Sequence, residues 1–227
     1  APLITHNGGL LKYAESMETV AYSLLSSETS LEIVTVGKSL GGDALVSTDP
    51  HGRGTLLYDR VSEDNKPLQK YIKWATTLHG DEAERSVAHV PALEDVVHDH
   101  EVVHISFSGT CRTMYDLETS LRAELGNTVT ILTTVYTRLD FTLIDILPPD
   151  ASKGIGVAKL AEINAILPEE VMAIGDNFND LEMLNYADTA VIMGNADPGL
   201  LERGEFYTTL SNDEGGVAAA IERFILS

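Results

Sequence analysis

A single cysteine, Cys111, in 227 residues excludes an internal disulfide and agrees with a reducing compartment. No apolar run approaches the roughly 20 residues that a membrane span needs, and no signal peptide is visible. These absences predict a cytoplasmic protein with no membrane partner. Positive charge is also scarce, with 15 Lys and Arg against 35 Asp and Glu, a formal net charge of −20. Nucleic-acid binding relies on clustered cations, so no nucleic-acid partner is expected. The same charge would repel phosphorylated compounds at long range. Any phosphate site must therefore carry its own local positive charge, from a metal, a lysine or helix N-termini. What is present is ordinary: 44% hydrophobic residues with 22% charged ones, enough to bury a good core. There is no convincing internal repeat or low-complexity segment.

Read in order, residues 2–5 and 10–13 predict two short strands around the turn signal His6-Asn7-Gly8-Gly9. Residues 17–27 space Val20, Leu24 and Leu25 as a helix would, and 31–36 read as a strand. A loop rich in Gly, Asp and Pro covers 41–54 and flanks an extended piece at 44–47, with which 55–58 could pair. Pro67 opens a helix with Leu68, Tyr71, Ile72 and Ala75 on one face and Trp74 off its centre. A short helix is expected at 91–97 and a strand at 101–108. Were they all in that strand, His98, His100 and His104 would share one face and could ligate a transition metal, or simply be a solvated face. A helix at 114–125 ends at Gly126, and strands follow at 129–136 and 141–147. After Pro148-Pro149 the pattern becomes helix, strand, helix, strand, helix, strand, helix, the alternation of a doubly wound α/β layer.

The densest chemistry lies in residues 171–184, VMAIGDNFNDLEML. A buried strand at 171–174 would end at Gly175, leaving Asp176 at its carboxyl end and Asp180 at the mouth of the next helix. Two carboxylates four residues apart across a tight turn can converge on one hard cation, and magnesium prefers such oxygen ligands. They could equally form an Asn/Asp-rich turn that caps a helix. Upstream, Asp150-Ala151-Ser152-Lys153-Gly154 opens a helix with Lys153 in its first turn, where the helix dipole disfavours a cation. Either a negative group lies beside Lys153, with the Asp176/Asp180 turn a natural candidate, or its long stem carries the charge into water. Two further loops, Gly194-Asn195-Ala196 and the stretch Ser211 to Gly216, complete the set.

SKG at 152–154, GDNFNDLEML at 175–184, MGNA at 193–196 and SNDEGGVAAAIE at 211–222 together resemble the C-terminal half of the haloacid dehalogenase superfamily, specifically its Cof-type phosphatases. The opening ITHNGG at 4–9 is similar to the segment by which that family leaves the first half of its core and approaches a large inserted cap. GDxxND alone is also similar to the phosphorylation domain of P-type ATPases, which the lack of a membrane span disfavours. The resemblance implies an α/β fold: a Rossmann-like core from residues 1–14 and 150–227, and an α+β cap from 15–149. It also implies a magnesium-dependent hydrolase that acts on small phosphorylated metabolites through an aspartyl-phosphate intermediate. Carried over by residue, Asp176 would bind magnesium, and Asp180 would bind it or hold one of its waters. Lys153 would bridge the transferring phosphoryl group and the nucleophile's carboxylate, and Asn179 would support the loop or reach the substrate.

One departure bears on activity. The family's nucleophile and general acid lie on an Asp-x-Asp motif that does not occur upstream of ITHNGG. Asp43, Asp49 and the pair Asp140 and Asp145 lie where the family has its cap. The expectation is a chain cut short of its catalytic segment, since the strand at 171–174 reads as apolar on both faces and would want a partner at both edges. The alternative is a catalytically inactive relative that keeps a phosphate or metal site for a regulatory role. Substrate and oligomeric state are not readable from the sequence.

Overall fold

The computed structural model describes residues 1–80 and 83–226, and the chain divides into two units, Ala1–Asp150 and Ala151–Ser227. Among the described residues no helix is long and apolar enough to cross a membrane.

In the first unit, β1 (Pro2–Thr5), β2 (Leu10–Tyr13) and β3 (Thr19–Tyr22) form a small antiparallel sheet. Then come α1 (Ser27–Ser39), β4 (Asp43–Thr48), β5 (Thr55–Tyr58), α2 (Lys66–His79), α3 (Ala83–Ser86), β6 (Val87–His89) and the single turn α4 (Leu93–Val96). The unit ends with β7 (His104–Gly109), α5 (Cys111–Leu125), β8 (Thr130–Tyr136) and β9 (Phe141–Leu147). Six strands pair in the order β6-β5-β4-β7-β9-β8, all antiparallel except the β5/β6 pair. Strand alternation gives this sheet two different faces. Ala44, Val46, Ile105, Phe107, Ile144 and Ile146 turn one way into the main core, where they meet Ile33 and Val34 of α1 and Met114, Leu117 and Leu121 of α5. Residues between them turn the other way.

Two expected elements are overturned. Residues 17–27 do not form a helix: Met17 sits in a left-handed turn conformation (φ 58°) and 19–22 become β3. Residues 31–36 are not a strand but the middle of α1. Ser26 caps that helix, its Oγ accepting the Thr29 N–H at 3.1 Å. The β-branched run Ile33-Val34-Thr35-Val36 favours a strand locally, but the buried positions are Ser30, Ile33, Val34 and Gly37, a helical spacing. Ser30 and Gly37 hide that periodicity from a reading of apolar residues. Gly37 is needed there, because a Cβ would come within 2.1 Å of the Phe107 ring.

The histidine strand is also shorter than expected. β7 begins only at His104, while His98 lies in a 3-10 turn (Val97–Asp99) and His100 follows it. Three histidines on one strand face is therefore incorrect, and among the described residues no group of three or more His, Cys, Asp or Glu could hold a metal ion. Trp74 is 58% exposed, off the apolar face of α2.

The second unit runs α6 (Lys153–Ile163), β10 (Met172–Gly175), α7 (Leu181–Tyr186), β11 (Thr189–Ile192), α8 (Pro198–Leu201), β12 (Tyr207–Thr208) and α9 (Gly216–Phe224). This is the alternation expected after Pro149. The strands are parallel in the order β10-β11-β12, so β10 lies at an edge of the sheet. Ala173, Leu184, Ala190, Ile192 and Leu200 form a core of its own.

Candidate functional site

The loop after β10 is built around one buried carboxylate. Asp180, 3% exposed, closes a 3-10 turn (Phe178–Asp180), and its Oδ2 accepts the backbone N–H groups of Asp176 at 2.9 Å and Asn177 at 3.0 Å. Its Oδ1 pairs with Lys153 Nζ. Burial of a charge is tolerable only with such partners. Gly175 makes the fold-back possible, since a Cβ there would come within 2.5 Å of Asp180 Cβ. The Asn177 side chain accepts the Phe178 N–H at 2.7 Å and completes the turn.

The effect on Asp176 is to fix its backbone and leave its side chain exposed at the carboxyl end of a parallel strand. Among the described residues its carboxylate has no hydrogen-bond or ion-pair partner. Lys153, placed against the helix dipole in the first turn of α6, is stabilised by the carboxylate of Asp180. Asn179 lies in the same 3-10 turn, partly buried.

The four motifs meet through specific bonds. Ser152 caps α6, its Oγ accepting the Ile155 N–H at 3.1 Å while donating to Glu182 of α7. Gly154 lies so close to Glu182 that a Cβ would come within 2.6 Å of the Glu182 Cβ. Backbone N–H groups of Met193 and Asp197 donate to the carbonyls of Gly175 and Asp176 at 3.0 and 2.9 Å, which joins the 193–196 loop to the acid loop. Asn195 Oδ1 in turn accepts the Asn212 N–H at 2.8 Å. Lys153, Asp180 and the Asp176 backbone thus form one connected cluster. Glu182 is not singled out by the sequence, whereas Ser152 and Asn195 stand in it as members of the SKG and MGNA motifs. Their signal was the motifs themselves, in which small polar residues recur beside glycine where loops approach closely.

A family profile described as haloacid dehalogenase-like hydrolase matches residues 1–221. The chain belongs to this family. YxeH of Bacillus subtilis, classed by name among phosphatases, is 48% identical over 83 residues, which are 37% of this chain and 30% of that protein. The 5-amino-6-(5-phospho-D-ribitylamino)uracil phosphatase YwtE of the same organism is 42% identical over 83 residues, 37% of this chain and 29% of its own length. The chain thus spans about a third of the length of these curated relatives. A haloacid dehalogenase-like hydrolase from Bacteroides thetaiotaomicron superposes over 99% of this chain and 77% of its own, with a TM-score of 0.75 and 23% identity. That likeness gives the fold: α/β, with central sheets flanked by helices. The resemblance drawn from the motifs holds.

Proposed function

We propose that this chain supplies the cation- and phosphate-facing half of a magnesium-dependent phosphatase acting on small phosphorylated metabolites. The observation that carries the reading is the Asp180 cluster: one buried carboxylate clamps the loop amides and Lys153, and thereby presents Asp176 at the end of β10. In open α/β sheets ligands bind beyond the carboxyl ends of the strands.

The donor set fits magnesium, which takes hard oxygen ligands and keeps several waters. Asp176 would hold the ion directly. Asp180 has committed both oxygens to Lys153 and to backbone amides, so its part would be to orient the loop and one of the ion's waters. When bound, the cation supplies charge neutralisation for phosphoryl oxygens. Lys153, with its side chain about a third exposed, holds a second positive charge beside Asp180, and its ammonium can donate to a phosphoryl oxygen while still paired. Asn179 would buttress the loop or reach the substrate. The carboxylate that accepts the phosphoryl group would come from outside these 227 residues, and residues 1–14 and 150–227 would belong to one core, with 15–149 as its cap.

The test is turnover of p-nitrophenyl phosphate by the full-length form in magnesium. Asp176→Asn should lower kcat by roughly 100-fold or more. Near-normal turnover by that variant would sink the reading. Phosphate and magnesium binding without turnover in the wild-type full-length form would instead assign the regulatory role.

A further inference from the structure

The six-stranded sheet of the first unit has two faces and two edges. One face packs on the main core. The other borders a cavity of about 610 Å³, whose wall includes His6, Ser47, His104 and Asp145. Of the edges, β6 is three residues long and runs beside α2 and α3, whereas β8 is seven residues long and pairs only with β9.

An edge strand of that length presents a row of backbone N–H and C=O groups that no ladder satisfies. Proteins blunt such an edge with a charge, a proline, a bulge or a very short strand. β8 has none of these. Its sequence, Thr130-Ile131-Leu132-Thr133-Thr134-Val135-Tyr136, is uncharged and rich in β-branched residues. It stays in register with β9 from Thr130 opposite Leu147 to Tyr136 opposite Phe141, without a shift. Arg122 of α5 covers one point, its Nη2 donating to the Ile131 carbonyl at 3.1 Å, and that oxygen keeps a second lone pair. Towards Tyr136 the strand leaves the core. Val135 is 53% exposed, and Leu139, in the 3-10 turn Thr137–Leu139, is 71% exposed. Tyr136 stacks on Phe141 at 5.8 Å between ring centres and remains half exposed, so an apolar patch continues the bare edge.

What fits an uncharged, regular edge is another strand of the same kind, and β8 is complementary to itself. With two copies antiparallel and Thr133 on the twofold axis, Thr130 stands opposite Tyr136, Ile131 opposite Val135, and Leu132 opposite Thr134. Val135 then lies against Ile131 of the second copy on the helix-covered face, and no like charges meet within the ladder. The ends match in charge. Arg138 is exposed in the turn after β8, and the segment before β8 follows the carboxyl end of α5, where Glu124 is exposed. The twofold register lays Arg138 of each copy opposite Thr128 of the other, beside that helix end, where a cation is favoured. Symmetry makes the contact twice.

We propose that β8 is an interface strand, through which two copies of this chain join antiparallel into one continuous sheet. A ladder of this length is narrower than the roughly 800 Å² per partner of a standard interface, so the dimer is weak and reversible. The surface stands on this unit's own geometry and does not depend on the phosphatase reading. The experiment is sedimentation equilibrium of the full chain from about 5 to 500 µM in roughly 0.3 M NaCl, which screens the repulsion between two chains of net charge −20. A monomer–dimer equilibrium with Kd of about 100 µM or tighter is expected. Val135→Lys, at an exposed position, should weaken it by about tenfold or more. Trp74→Ser, which removes an exposed aromatic of α2, should leave it unchanged, with thermal melts checking that both variants are folded. Cross-linking by diamide in a Cys111→Ser background reads the register. Thr133→Cys meets itself on the axis and should give a covalent dimer, whereas Thr130→Cys faces Tyr136 and should not. A chain that stays monomeric throughout, as it would if β8 instead takes a strand of another protein, overturns the proposal. So does a dimer that folded Val135→Lys leaves intact or that Trp74→Ser dissolves, or equal cross-linking at the two positions.

Discussion

Asp180 and Asp145 are both carboxylates drawn out of water, one in each unit, and they are held in opposite ways. Asp180 is nearly sealed, and its partners are two backbone amides of its own loop and a lysine at the start of the preceding helix, α6. Asp145 lies on an open sheet face and is held by His104 and Asn7, residues far from it in sequence. The first arrangement uses a carboxylate to build a loop, with another acid, Asp176, left for chemistry. The second leaves the carboxylate itself with capacity at the wall of a cavity. A buried acid is therefore not a catalytic acid by virtue of burial, and the partner set tells the two uses apart.

The contrast can be broken by mutation. Asp180→Ala would strand Lys153 and the amides of Asp176 and Asn177, and should cost about 3 kcal/mol in denaturant unfolding of the second unit. A loss below about 1 kcal/mol would mean that the clamp is not structural. Gly175→Ala tests the same clamp from the backbone side. Its new methyl must push Asp180 away, so a cost of about 2 kcal/mol is expected, with weakened magnesium affinity in the full-length form. Wild-type stability in that variant would show that the loop relaxes freely. Asp145→Ala should cost only about 1–2 kcal/mol, because His104 keeps its contact with Ser47. Should it destabilise more than Asp180→Ala, the distinction between an acid that builds a loop and an acid on an open sheet face fails.

The same difference explains what could be read in advance. The acid loop is local: GDNFND places clamp, turn cap and exposed acid within a few residues, and SKG adds one lysine at a helix start. Such chemistry survives in linear sequence. The cavity is assembled by strand pairing, with Ser47 opposite His104 and Ser106 opposite Asp145, and no motif spans those separations. His104 drew notice beside His98 and His100 because the three are close in sequence, yet its partners are Ser47 and Asp145. In the same way α1 does not show as a helix in the sequence, because Ser30 and Gly37 occupy its buried stripe. The helical period was present in burial and absent in hydrophobicity.

The smallest effect tests the cavity wall through its proton balance. His6 has its pKa depressed to about 4 in the folded protein, against the usual 6.5 once the chain unfolds, with burial the first cause and His104 the second. Between those values the unfolded chain binds the extra proton, so folded stability must fall as pH drops from 6.5 towards 4. The slope from this residue fades within about one pH unit above 6.5 and below 4. The carboxylates titrate in the same region, so the useful quantity is the difference between wild type and a variant without the imidazole. His6→Asn is suitable because His6 holds a left-handed backbone (φ 49°), which asparagine tolerates. His6 is only partly buried by its surroundings, which sets the expected loss, relative to His6→Asn, at about 1 kcal/mol between pH 6.5 and 5. Urea unfolding at pH 7, 6 and 5 measures it. Parallel profiles for the two proteins would mean that His6 is solvated and protonates freely, and the neutral cavity wall would have to be abandoned. A wild-type profile that falls away from the variant's as the pH drops would place an uncharged imidazole beside His104, on the sheet face opposite the hydrophobic core.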